Sequence, residues 1–61
     1  PADDPPAEMV TTILRRIENI NALPSVGMAR EQLMNKFKGA QALNQFLTAL
    51  QDKEATLKVA A

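Results

Sequence analysis

The side chains able to carry chemistry in this chain are carboxylates and bases, and their spacing decides what they can do. Asp3 adjoins Asp4, and Asp52 lies two residues before Glu54. General acid/base work needs carboxylates held together in a walled pocket. Neighbours in a proline-rich start, or an i,i+2 pair on a helix, do not share a face. Both pairs read as solvated surface. Histidine, cysteine and tyrosine are absent and Ser25 is the lone serine, so nucleophilic catalysis and the usual zinc frameworks lack their parts. Gly27 and Gly39 are isolated, which leaves no phosphate-cradling loop. The residues imply a non-catalytic chain with no metal or cofactor site.

The bases are arranged more suggestively. Arg30, Met34 and Lys38 fall at i, i+4 and i+8, a cationic stripe with an apolar centre beside Phe37. Arg15 and Arg16 could approach it from the preceding apolar run. A surface of this kind suits an acidic peptide that contains or ends in a hydrophobic residue. The apolar floor supplies affinity, the bases fix orientation and hasten encounter, and Met34 adapts to its contact. Two other readings remain open. Met34 could be core and the bases plain solvated surface. Alternatively, Arg30, Gln32, Asn35 and Lys36 could read DNA from the second helix of a helix-turn-helix. Against DNA, "NALPS" is longer than a tight turn, and Phe37 and Phe46 sit at core spacing, not as a stacking platform.

Charge and composition narrow the classes further. The formal charge is zero, but Asp3, Asp4 and Glu8 cluster in the first eight residues, which leaves the remainder mildly cationic. That excess is too small to argue nucleic acid binding from electrostatics alone, where several phosphate contacts are needed for useful affinity at physiological salt. No apolar run reaches membrane-spanning length, and the acidic, proline-containing start is unlike a signal peptide. The chain reads as soluble, and its lack of cysteine fits a cytoplasmic protein.

These side chains must be positioned by helices. "PADDPP" has the composition of a linker, and residues 1–5 are assigned to it, with residues 6–61 as one helical domain. Met9, Val10, Ile13, Leu14, Ile17 and Ile20 recur at steps of three and four with polar residues between, the pattern of an amphipathic helix. Pro6 suits its first turn, Asp4 is near enough to cap it, and Glu8 favours its positive end. Asn21 reads as the C-cap and Pro24 as the stop. Ser25 then reads as the N-cap of a second helix, with Val26, Ala29, Leu33 and Phe37 on one face and Lys36 and Lys38 in the last turn. Gly39 either closes that helix in the left-handed region or lies inside one long helix. Ala40, Leu43, Phe46, Leu47, Leu50 and Leu57 mark a third run, thinning at Lys53 and Glu54, with a tail expected to fray.

No polar N-cap precedes the third run, which favours the continuous helix. Three short faces can enclose a core, whereas a lone hairpin leaves its outer face bare, which favours three helices. The expected fold is all-α, a small three-helix bundle, the alternative being a helical hairpin that dimerises and so acts as a homo-oligomerisation unit. With 61 residues and no disulfide the core is small, and a partner surface could complete it. The opening on Pro1 and the small-residue ending "KVAA" read as the C-terminal part of something longer.

The proline-containing acidic start "PADDPPAE", the middle helix "MAREQLMNKF" and the last helix "LNQFLTALQDKEATLKVAA" together resemble the C-terminal domains of phage single-strand annealing recombinases, of the lambda Beta and essential-recombination-function types. The resemblance covers most of the chain and lies in spacing and in the "KVAA" ending. It implies a small helical domain that docks partner proteins, namely a companion exonuclease and the host single-stranded DNA-binding protein, whose acidic tail ends in an apolar residue. DNA annealing belongs to a separate N-terminal core in that family, and direct nucleic acid binding by this chain is not implied. Such a tail would be placed on Arg30, Met34 and Lys38 by chemistry and not by matched motif.

Overall fold

The computed structural model describes residues 4–60, and Pro1–Asp3 and Ala61, with the calls made on them, lie outside the described residues. Three helices follow in order: α1 (Ala7–Glu18), α2 (Leu23–Lys36) and α3 (Ala42–Ala60). No strand occurs among the described residues, and the arrangement is a small all-α three-helix bundle. The helix after Gly39 is separate from α2, so neither the single long helix nor the two-helix hairpin describes the chain.

Apolar periodicity chose the buried faces. Ile17 from α1, Val26 from α2 and Phe46 and Leu50 from α3 meet Phe37 and Ala40 of the α2–α3 connection in one buried cluster. No polar or charged residue is buried among those described. The Phe37 and Phe46 rings pack tilted, with centroids 5.5 Å apart, within the range of favourable aromatic pairs. α3, with 19 residues, is the platform: α1 and α2 each pack along it and barely touch one another. Its length makes the molecule long and thin, 39 × 19 × 13 Å.

The helix ends differ from the expectations in instructive ways. α1 stops at Glu18 with Asn19 as C-cap, and Asn19 N–H donates to the Arg15 carbonyl at 3.1 Å. Asn21 therefore lies beyond the cap. α2 starts earlier than expected, at Leu23, with extended Ala22 in the N-cap position and Pro24 in its first turn. A proline there loses nothing, because first-turn N–H groups have no intrahelical partner, so Pro24 starts a helix where it reads as a stop. Ser25 is consequently inside α2 and not its cap. α2 also ends at Lys36, which leaves Lys38 in the connection. Where a frayed tail was expected, α3 is helical to Ala60 among the described residues, with Leu57 half-buried against the core.

Pro6 stands just before α1 as its N-cap residue, extended at φ −63° and ψ 156°, and no side chain caps that end. Asp4 is engaged elsewhere. Its Oδ1 accepts the N–H of Ala42, the first residue of α3, at 3.1 Å. The missing cap of the third helix is thus supplied from the other end of the chain, by a residue assigned to the linker. Replacing it, Asp4→Ala, is expected to lower stability by about 0.5–1 kcal/mol, the low half of the usual capping range because the site is open to water. Faster hydrogen exchange at the Ala42 amide, with α1 amides unchanged, is the specific readout.

Gly39 adopts φ 84°, the left-handed region in which a Cβ is strained. The turn it makes is closed by Ala40 N–H donating to the Phe37 carbonyl at 3.0 Å. Gly27 is the opposite case, a glycine inside α2 with open space where a Cβ would stand. Alanine at the two positions should therefore act with opposite sign. Gly39→Ala is expected to destabilise by about 1 kcal/mol and Gly27→Ala to stabilise by about 0.5–1 kcal/mol, read as shifts in urea midpoint.

Candidate functional site

Because α1 and α2 both lean on α3 and splay from each other, a groove of about 410 Å³ opens between them. Its floor comes from two apolar rows, Ile13 and Ile17 on α1 with Ile20 just past its end, and Ala29 and Leu33 on α2 with Phe37 as its C-cap. Each row steps by three or four residues, which is why each falls on one side of the chain's helical path. Ala29 is the smallest member. The rim is formed by Arg16 on the α1 wall and by Ser25, Met28, Gln32 and Lys36 on the α2 wall.

Two bases and no carboxylate line this groove. Arg16 is exposed, and the Lys36 Nζ stands 5.6 Å from the centre of the Phe37 ring. That distance is within cation–π reach, so the solvent-exposed ammonium stands at the edge of the apolar floor. Met28, 62% exposed, adds an apolar edge. The surface is thus greasy in the middle and positive on opposite walls.

The structure divides the six candidate side chains. Phe37 and Arg16 belong to the groove. Arg30, Met34 and Lys38 do not line it. At about 100° per residue, Arg30 and Met34 turn to one side of the Val26–Leu33–Phe37 seam, while Gln32 and Lys36 turn to the other. Arg30 accordingly faces α3, with Nη2 3.6 Å from Glu54 Oε1. Both members are about one-third exposed, and a pair of that kind contributes a few tenths of a kcal/mol at most. Met34 is 47% exposed and so is not core. Lys38 lies past the end of α2, so the i, i+4, i+8 stripe is broken before its last member. Arg15 is exposed, and its position two residues from buried Ile17 turns it to the far side of α1.

Sequence reasoning passed over Ala29, Gln32 and Lys36 as groove residues. One signal was available. The α1 apolar row has Arg16 on one flank and Glu18 on the other, so the side that would attract an acidic partner was marked by charge.

Among the described residues there is no cluster of three metal-ligating side chains, and no helix is long and apolar enough to cross a membrane. Comparison with protein-family models, with curated proteins and with solved structures finds no match to this chain.

Proposed function

We propose that this chain is a non-catalytic protein-interaction module and that the α1/α2 groove docks a partner segment both apolar and acidic. The observation carrying this reading is the combination of an apolar floor with Arg16 and Lys36 on opposite walls and no lining carboxylate. An apolar recess alone binds without preference; bases on both sides select sign and fix orientation. The resemblance to annealing-recombinase C-terminal domains supplies a context in which the partners are a single-stranded DNA-binding protein or a companion exonuclease.

The test is a titration of the isotopically labelled chain with a glutamate-rich peptide carrying spaced leucines, and with its lysine-for-glutamate counterpart. Amide shifts centred on Ile17, Ala29, Leu33 and Phe37, seen with the acidic peptide and not with the basic one, are expected. Shifts from the acidic peptide confined to other faces, or no shifts at all, would remove the groove from consideration.

A further inference from the structure

We propose that the groove takes its partner as an amphipathic helix, a fourth helix laid between α1 and α2, with carboxylates on both sides of its apolar stripe. This deepens the docking reading above and rests on it. The walls are themselves helices, so between its two ends the groove presents backbone N–H and C=O groups already bonded within α1 and α2. Its remaining polar groups are rim side chains. An extended chain laid over Ile17, Leu33 and Phe37 would lose water from its amides and find no backbone partner there. A helix brings its own hydrogen bonds and buries only side chains.

The floor has matching form. Its two rows repeat at helical spacing, and Ala29 has the shortest side chain in them, so the socket for one large apolar residue of the incoming helix is placed there. Arg16 rises on the α1 wall and Lys36 on the α2 wall, which places complementary acids on both flanks of the partner's stripe. A second copy of this chain is a poor occupant by the same logic. Groove against groove would set Arg16 and Lys36 against their own kind, and like charges meeting at an interface oppose association. The partner is a different polypeptide.

The experiment compares two peptides of about four helical turns, each with leucines at i, i+3, i+7 and glutamates on either flank, one of them interrupted by a central proline that spares the leucines. Titrated into the intact labelled chain, the uninterrupted peptide is expected to shift the groove amides. Circular dichroism of the mixture should show more helix than the separate components, and the proline peptide should bind at least tenfold more weakly. Equal affinity for both peptides, or groove shifts with no gain of helix, overturns the helical mode and leaves the docking reading standing. Silence at the groove from both overturns the two together. Ala29→Leu, which fills the socket, is expected to weaken binding at least tenfold with the thermal midpoint retained; undiminished binding by that variant overturns the socket. Concentration-dependent dimerisation of the unliganded chain, abolished by Ala29→Leu, overturns the choice of a different polypeptide.

Discussion

Reversing the two groove bases together, Arg16→Glu with Lys36→Glu, is expected to weaken capture of the acidic peptide by about a hundredfold, because attraction becomes like-charge repulsion on both walls. The folded chain should tolerate the change. Both side chains point to solvent, and what is lost is the favourable placement of a base in the last turn of α1 and of α2, about 0.3–1 kcal/mol for each helix end. Arg15→Glu with Lys38→Glu is the matched control. It alters net charge equally but lies off the groove, so its effect should stay within about fivefold, the part due to the long-range field. Comparable losses in the two double variants would show that the peptide senses overall charge and not this site. Raising salt should narrow the gap between them, since rim charges are screened.

Phe46→Ala is expected to abolish cooperative folding at room temperature. Phe46 is fully buried at the centre of the cluster, with the Phe37 ring against it. Truncating a buried phenylalanine costs about 3–5 kcal/mol, and a single core in a chain this short rarely supplies more than about 3–5 kcal/mol in total. Loss of the thermal transition by circular dichroism, with collapsed amide dispersion, is the expected observation. Met34→Ala makes the contrast: an apolar side chain of similar length, 47% exposed, whose removal should change stability by less than about 0.5 kcal/mol. A Phe46→Ala variant that melts near the parent temperature would mean the core is not organised around that ring.

The two results bear on each other through Phe37, which is both a wall of the core against Phe46 and part of the groove floor. Packing in the core therefore positions the recognition surface. Loosening Phe46 is expected to weaken docking even in a variant that stays folded, so peptide affinity measured on core variants must be compared at matched folded fraction.

Much of this architecture is legible in the linear chain. The rows Ile13–Ile17–Ile20 and Val26–Leu33–Phe37 announce their helices because the hydrogen bonds that make a helix are local, and because burial of one face demands a period near 3.6. At Gly39 the residue type allows a break without requiring one, and the structure decides for the break, with φ 84° at a position few other residues accept without strain. The ends were harder to read. Pro24 and Ser25 suggest a stop and a cap by type, yet a proline is equally at home in a first helical turn, and the chain uses it there.

The groove was only half legible for a geometric reason. α2 has mixed polar and apolar flanks on both sides of its buried seam, Arg30 and Met34 on one, Met28, Gln32 and Lys36 on the other, and residue spacing treats them alike. Which flank closes on a neighbour and which stays open depends on how the three helix axes meet. α3 packs on the Arg30 side, where Glu54 meets Arg30, and the space toward α1 stayed open.

What the residue order determines alone is therefore the three helical runs and which face of each is apolar, both consequences of interactions within one or two turns. What only the tertiary structure decided is the groove and the cap on α3. Asp4 and Ala42 are 38 residues apart and meet because α1 folds back along α3. Contacts of that range depend on axis angles set by the whole core at once, and no local pattern encodes them.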